Sequence, residues 1–114
     1  TFEEFSEWLE NLPSNHYIFV VIVDDKVAGL GTLLIEHKII RSFGKVGHIE
    51  DVVISKEYRG KGIGKFLIKH LLHVAEKEFN VYKVILNCSE SNIPFYENCG
   101  LVHHQHQMVK YFKD

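Results

Sequence analysis

The segment YRGKGIGKFL, residues 58–67, places three glycines, an arginine and two lysines between an apolar strand-like run and an apolar helix-like run. Each glycine costs about 0.5–1 kcal/mol relative to alanine in a helix. The usual benefit is that backbone N–H groups at a helix N-terminus approach an anion closely. Arg59, Lys61 and Lys65 add cationic donors, so the R-x-x-G-x-G pattern that begins at Arg59 indicates a diphosphate site. A glycine-rich turn with solvated lysines is the alternative.

Two common nucleotide-binding motifs do not fit this segment. A P-loop requires GxxxxGK[ST], whereas the spacing from Gly60 to Gly64 is one residue short and Phe66 replaces the hydroxyl residue that binds magnesium. A Rossmann fingerprint requires GxGxxG and an acidic residue at the end of the next strand, and YKVILNC ends without one. The nucleotide is therefore predicted to be neither ATP nor NAD.

The surrounding sequence predicts one α/β domain over residues 1–114 that positions this segment. Of the 114 residues 46% are hydrophobic, which fits one compact core. Periodicity and turn residues predict the order α-β-β-β-α-β-α-β. The elements are a helix over 1–12 ended by Pro13, strands over 17–23, 27–36, 46–55 and 82–88, a helix from Gly64 to about Phe79, a short helix within 91–100 and a last strand within 101–112. We expect a mixed sheet with helices packed against it.

The two later helices carry the most detailed structural predictions. Helical spacing places these apolar side chains of the long helix on one side: Ile63, Phe66, Leu67, Leu71, Val74 and Ala75. In the short helix, Ser91 or Asn92 suits the N-cap, Pro94 suits the first turn and Gly100 suits the position after the last turn.

Composition and charge argue against several classes of function. A net charge of −2 does not fit a strongly basic nucleic-acid surface. No apolar run approaches the roughly 20 residues of a membrane span, and no charged-then-apolar leader opens the sequence. Cys88 and Cys99 lack CxxC spacing, so we expect both to be reduced and the protein to be cytoplasmic.

The run HHQH at residues 103–106 invites a metal-site interpretation. In a strand, His104 and His106 share one face and His103 points away, and no carboxylate lies nearby in the sequence to complete a site. A polar edge strand explains the run, and no metal is predicted.

Longer segments resemble a known superfamily. VVISKEYRGKGIGKFLIKHLL is similar to the acetyl-CoA-binding segment of the GCN5-related N-acetyltransferase (GNAT) superfamily, and NIPFYENCGL resembles its later helix. LLIEHKIIRSFGKVGHIEDVVIS and YKVILNCSESNIPFYENCG resemble its glucosamine-6-phosphate N-acetyltransferase branch, within a match over residues 17–112. The resemblance implies the GNAT fold, a mixed and mostly antiparallel central sheet flanked by helices.

The same resemblance implies a reaction. The acetyl group of acetyl-CoA passes to the 2-amine of glucosamine 6-phosphate by direct attack in a ternary complex, a step of UDP-N-acetylglucosamine synthesis. Relatives have a strand before the first helix, which ends in a threonine that touches substrate. Nothing precedes Thr1 here, so we expect a trimmed chain or a naturally short form that lacks this strand.

The resemblance assigns the acetyl-CoA side of the site. Val53 and its neighbours run beside the pantetheine arm, and an N–H near Val53 polarises the thioester carbonyl. Tyr96 protonates or stabilises the CoA thiolate, and Asn92 bonds the pantetheine amides. The full set implied for acetyl-CoA is Val52, Val53, Ile54, Arg59, Gly60, Lys61, Gly62, Ile63, Gly64, Asn92, Phe95 and Tyr96. From the residues alone, a core strand, a core aromatic residue and a helix cap explain the same positions.

The resemblance also assigns the sugar side. Glu50 and Asp51 contact the amino sugar, partly through their backbone, although adjacent strand residues face opposite sides and cannot form an acid–base pair. An exposed edge with a bulge is the alternative. The carbonyl of Asn87 orients the amine, and the implied catalytic set is Tyr96, Asn87, Glu50 and Asp51. The substrate set is Lys38, Ile39, Ile40, Arg41, Glu50, Asp51, Tyr82, Lys83 and Lys110.

The sugar side has one departure from the family pattern and one expected contribution from a second subunit. Lys110 stands where relatives often have arginine, which gives a point charge instead of a bidentate fork. Relatives form homodimers with a shared active site, so the second subunit is expected to supply Tyr82, Lys83 and Lys110. Two alternatives stay open, a GNAT enzyme for a peptide or polyamine amine and an acyl-CoA-binding module without turnover.

Overall fold

A computed structural model describes all residues, 1–114. Four strands form one sheet in the order β1-β2-β3-β4, in which β1, β2 and β3 are antiparallel neighbours and β4 runs parallel to β3. The strands are β1 (His16–Val23), β2 (Lys26–His37), β3 (Lys45–Ile54) and β4 (Lys83–Ile85). The helices are α1 (Phe2–Glu10), the one-turn α2 (Ile40–Phe43), α3 (Ile63–Lys77) and α4 (Ile93–Asn98). Two 3₁₀ turns, Lys56–Tyr58 and Glu90–Asn92, precede α3 and α4. The predicted mixed, mostly antiparallel sheet is confirmed.

The core lies between α3 and one face of the sheet. Leu67 and Leu71 of α3 are almost fully buried against Leu33 of β2 and Ile49 of β3. The apolar stripe predicted for α3 is therefore confirmed, except at Phe66, whose side chain is 63% exposed. Phe66 lies at the margin of the stripe and its ring stacks on that of His70, one turn further along.

The prediction for the carboxyl-terminal third is partly wrong. β4 is a three-residue strand, shorter than the predicted 82–88, and residues 101–112 form no strand. The apolar side chains of this tail are exposed: Val102, Met108, Val109, Tyr111 and Phe112. A strand needs a paired neighbour and a buried face, and in this structure the tail pairs with no strand of the sheet. The shared strand face expected for His104 and His106 is therefore also wrong.

The first helix is confirmed over Phe2–Glu10. The Thr1 hydroxyl caps it by accepting a hydrogen bond from the Glu4 N–H at 3.1 Å. No residue of α1 is buried, and its apolar side chains, Phe5 and Trp8 among them, are exposed. None of the helices is both long enough and apolar enough to cross a lipid bilayer.

Candidate active site

The glycine-rich segment forms the start of α3, as predicted. Gly60 and Gly62 have φ angles of +76° and +79°, and Gly62 is the N-cap of α3. An L side chain in this left-handed region costs about 1–2 kcal/mol. A Cβ atom at either glycine would meet no other atom within 4 Å. The space in front of these backbone amides is therefore open, and the positive end of the α3 dipole points into it.

The glycine segment is connected to the end of β3 and to α4. The Arg59 Nε donates a hydrogen bond to the Ile54 carbonyl at 3.0 Å. A Cβ on Gly64 would lie 3.3 Å from Cζ of Phe95 and 3.6 Å from Cγ1 of Ile54. Three parts of the predicted acetyl-CoA site thus meet around Gly64. The Lys61 ammonium lies 5.5 Å from the centre of the Tyr58 ring, beside the same opening.

β3 contains a bulge where Glu50 and Asp51 were expected to alternate regularly. Val53 lies opposite Leu30 and Glu50 lies opposite Thr32, so two residues of β3 face the single residue Gly31. Asp51 has a φ of +51°. An inserted residue therefore interrupts the regular alternation of side chains in β3 at this point. The bulge named as the alternative is present.

The bulge lies where β3 loses its second neighbour. β4 pairs with β3 only from Val46 to His48. Beyond His48, the edge of β3 that faces β4 has no strand partner, while its other edge stays paired with β2 as far as Ile54. A gap in the sheet therefore runs from the bulge toward the glycine segment. Its free backbone groups can bind an extended chain that carries amides, as a pantetheine arm does.

A broad cleft of about 1720 Å³ follows the open edge of β4. It brings together three of the four predicted catalytic residues, Glu50, Asn87 and Tyr96. It also contains four further residues of the predicted substrate set: Ile40, Arg41, Tyr82 and Lys83. Tyr82 and Lys83, expected from a second subunit, therefore line the cleft of their own chain. The predicted residues that do not line this cleft are Asp51, Lys38, Ile39 and Lys110 on the sugar side, and all of the acetyl-CoA set except Tyr96.

Tyr96 is the titratable group in this cleft with a shifted pKa. Burial raises the pKa of its phenol above the ordinary value of 10.0, and the nearby thiols of Cys88 and Cys99 raise it further. Its ring meets that of Phe95 edge-to-face, with 5.0 Å between centroids. Tyr96 therefore stays protonated at neutral pH and can donate its proton to a developing anion.

The ends of α4 follow the local sequence. Pro94 lies in the first turn, and Gly100 just after the helix has a φ of +101°, as predicted. Asn92 occupies the N-cap position, but its side chain makes no capping hydrogen bond. The Asn92 side chain therefore does not act as a helix cap, and its amide is available to a ligand.

The predicted phosphate-binding cations fall into separate groups. The Arg41 guanidinium and the Lys83 ammonium lie 5.0 and 5.9 Å from the centre of the same Tyr82 ring. Arg41 reaches it from a left-handed turn, since Arg41, Ser42 and Phe43 have φ angles of 56°, 54° and 60°. Lys110 lies in the exposed tail, 5.6 Å from the Phe112 ring. Lys110 does not line the cleft that contains Arg41 and Lys83.

Glu36 and His48 are polar residues of this region that sequence reasoning missed. The His48 Nε2 and the Glu36 Oε1 are 2.8 Å apart, and the Lys38 ammonium donates to the other Glu36 oxygen at 3.1 Å. His48 lines the cleft. The only signal in the sequence is that His48 precedes Glu50 by two residues and so shares its strand face.

These three parts can bind an acyl donor linked to a nucleotide. The glycine segment would bind its diphosphate, the gap beside β3 would bind its arm, and Tyr96 would lie at its leaving group. Fold and site therefore define an acyl-CoA-dependent transferase. The sequence model of the Acetyltransferase (GNAT) family matches residues 1–101, and the chain belongs to that family. Members of the family use acetyl-CoA as co-substrate, and the open cradle at Gly60 and Gly62 fits its diphosphate.

The relatives narrow the similarity within the family. The chain is 42% identical over 117 residues to glucosamine 6-phosphate N-acetyltransferase of Arabidopsis thaliana, which covers 98% of this chain and 78% of the relative. It is 43% identical over 100 residues to the enzyme of the same name from Schizosaccharomyces pombe, covering 86% and 89%. The crystal structure of the Arabidopsis enzyme superposes with a TM-score of 0.92, covering 99% of this chain and 80% of that one. The family resemblance is confirmed, including its amino-sugar branch.

Proposed function

We propose that the chain transfers the acetyl group of acetyl-CoA to the 2-amine of glucosamine 6-phosphate, by direct attack in a ternary complex. The observation that carries the proposal is the cleft, which places Glu50, Asn87 and Tyr96 together with Arg41 and Lys83. Acyl transfer needs an oriented amine and a polarised carbonyl, and the phosphate needs cations. The relatives in Arabidopsis and fission yeast, whose names state this activity, support the choice of substrate.

Three residues of the cleft and one backbone group beside the β3 bulge have roles in this reaction. The carbonyl of Asn87 accepts a hydrogen bond from the amine and orients it toward the thioester. Glu50, with its exposed carboxylate, relays the ammonium proton to water. A backbone N–H beside the β3 bulge, near Val53, stabilises the oxygen of the carbonyl under attack. As the C–N bond forms and the C–S bond breaks, the phenol of Tyr96 donates its proton to the thiolate. The second proton lost from the amine nitrogen passes through water to the phenolate and restores the phenol.

A thiol-release assay tests the proposed function. Acetyl-CoA is offered with glucosamine 6-phosphate, glucosamine or spermidine, and free CoA thiol is measured. We expect release with the phosphorylated sugar in clear preference to the other two. Release with spermidine alone would favour a polyamine enzyme, and acetyl-CoA binding without release would favour a binding module.

Substitution of Lys38 or Lys110 by alanine tests the phosphate site. We expect the KM for glucosamine 6-phosphate to rise about 10-fold, because a charge-assisted hydrogen bond to the phosphate is lost. The KM for glucosamine should change little, so the preference for the phosphorylated sugar narrows. Lys77→Ala, at an exposed lysine near the end of α3, is the control. An unchanged ratio of the two KM values would remove the substituted lysine from the phosphate site.

A homodimer with a shared active site is part of the proposal. It is supported by the exposed apolar tail, by the open edge of β4 and by the position of Lys110 outside the cleft that contains Arg41 and Lys83. Light scattering at assay concentration should give twice the chain mass of 13.3 kDa. A fully active monomer would contradict the shared site. The place in UDP-N-acetylglucosamine synthesis and the cytoplasmic location rest on the family resemblance and stay predictions.

A further inference from the structure

The Glu36 carboxylate joins the side chain of Lys38, just after β2, to that of His48 on β3. One oxygen of Glu36 lies 3.1 Å from the Lys38 ammonium, and the other lies 2.8 Å from Nε2 of His48. The side chains of Lys38, His48 and Glu36 are 32%, 23% and 43% exposed, so the group is partly buried but open to solvent. The two contacts use different oxygens of the Glu36 carboxylate. The side chains of Lys38, Glu36 and His48 are therefore fixed relative to one another.

The sheet register places this group in line with the catalytic residues. Glu36 pairs with Val46, Leu34 with His48 and Thr32 with Glu50. His48 therefore lies one pleat repeat before Glu50 on β3, a separation of about 7 Å. Along this face the order is Lys38 and Glu36, then His48, then Glu50. A sugar with a 6-phosphate and a 2-amine has its ring hydroxyls between those two ends.

The protonation pattern of the imidazole follows from its partner. A carboxylate can only accept, so the proton shared with Glu36 is on Nε2 and leaves Nδ1 as an acceptor when the ring is neutral. The hydrogen bond from His48, followed by that from Lys38, lowers the pKa of Glu36, while partial burial opposes the change. Glu36 is therefore ionised at neutral pH and able to hold both partners.

We propose that Glu36 is a positioning residue of the amino-sugar site, which holds the Lys38 ammonium for the phosphate and the His48 imidazole for a ring hydroxyl. The inference rests on the proposed function and adds His48 as a contact to the sugar. Glu36 itself does not touch the substrate. It sets the distance between the phosphate cation and the ring contact, and through them the position of the amine beside Glu50 and Asn87.

Steady-state kinetics of Glu36→Gln test the inference. The amide keeps the size of the side chain but loses the charge that holds Lys38 and His48. We expect the KM for glucosamine 6-phosphate to rise about 10-fold, while the KM for acetyl-CoA stays within about twofold and the melting temperature is unchanged, since partly exposed ion pairs stabilise little. The matched control is Glu10→Gln at the exposed end of α1, which should leave all three values unchanged.

Two further variants separate the arms of the network. His48→Gln should raise the KM for glucosamine 6-phosphate and for glucosamine alike, since both sugars have the ring hydroxyls, whereas Lys38→Ala should affect only the phosphorylated sugar. In the double variant Glu36→Gln/Lys38→Ala, the KM for glucosamine 6-phosphate should rise by less than the product of the two single fold-increases, because Glu36 acts partly through Lys38.

The outcomes distinguish the inference from the proposed function. A wild-type chain that does not acetylate the phosphorylated sugar would refute the proposed function and this inference with it. An active wild type with an unchanged sugar KM in Glu36→Gln would refute this inference alone. An equal rise in the KM values for the sugar and for acetyl-CoA, together with a lower melting temperature, would show a structural role for Glu36 and overturn the inference. A KM in the double variant that rises by the full product of the single fold-increases would also overturn it.

Discussion

Replacement of Gly62 by valine is expected to weaken acetyl-CoA binding by about 100-fold. Gly62 caps α3 with a φ of +79°, and a β-branched side chain there costs about 1–2 kcal/mol in backbone strain. The added carbons would also occupy the space in front of the amides, where a Cβ now meets no atom within 4 Å. A diphosphate would lose its closest approach to the helix N-terminus. Titration calorimetry with acetyl-CoA measures the effect.

The matched control for this variant is Gly100→Val. Gly100 has a φ of +101° and a Cβ there would meet no atom within 4 Å, so the backbone strain is comparable. It lies after α4, at the cleft and outside the glycine-rich segment that is expected to hold the diphosphate. We expect Gly100→Val to lower the melting temperature while the dissociation constant for acetyl-CoA changes only a few-fold. Equal weakening by both variants would show that strain, and not the loss of a diphosphate cradle, explains the result at Gly62.

Replacement of Tyr96 by phenylalanine is expected to lower kcat about 10- to 100-fold, with less than about threefold change in either KM. Phenylalanine keeps the edge-to-face contact with Phe95 and removes only the proton that the leaving thiolate needs. A thiolate is a tolerable leaving group, since a free thiol has a pKa near 8.5. The fall in kcat is therefore expected to be small for the loss of a general acid. Steady-state kinetics of thiol release measure it.

The pH profile gives a second readout for Tyr96. Burial raises its pKa above 10.0, so the phenol keeps its proton through neutral and mildly alkaline pH. The wild type should therefore show no loss of kcat from Tyr96 ionisation below about pH 10. Tyr17→Phe, at a tyrosine packed on Phe79, is the control and should keep full kcat. A large rise in the sugar KM of Tyr96→Phe with unchanged kcat would make the tyrosine a binding group instead.

The parts of the fold that sequence could predict are those with a local period or a local backbone requirement. Leu67 and Leu71 recur at helical spacing, and this spacing is sufficient to predict the buried face of α3. Gly60 and Gly62 adopt the left-handed backbone that few other residues tolerate. In both cases the physical cause lies within a few residues along the chain.

Local spacing along the chain could not predict the bulge in β3 or the conformation of the tail. Asp51 has an ordinary strand neighbourhood in the sequence, and only pairing with β2 shows that β3 has one residue more than its partner. The tail alternates like a strand, but alternation does not say which sheet edge, in which chain, would pair with it. Residues 102–112 accordingly remain exposed in the single chain.

The Glu36–His48 contact escaped prediction for a related reason. The two residues are 12 apart in sequence and meet across two strands, so no local spacing signals the pair. Lys38, by contrast, is indicated by its position in a family segment, although its bond to Glu36 is evident only in three dimensions. Polar networks across a sheet depend on register, which the sequence specifies only indirectly.

A crystal structure of the chain with coenzyme A examines the central claim most directly. We predict diphosphate oxygens about 2.7–3.2 Å from the backbone nitrogens of residues 60–64, with the pantetheine arm in the gap beside β3. Well-ordered coenzyme whose diphosphate lies away from this helix start would contradict the account.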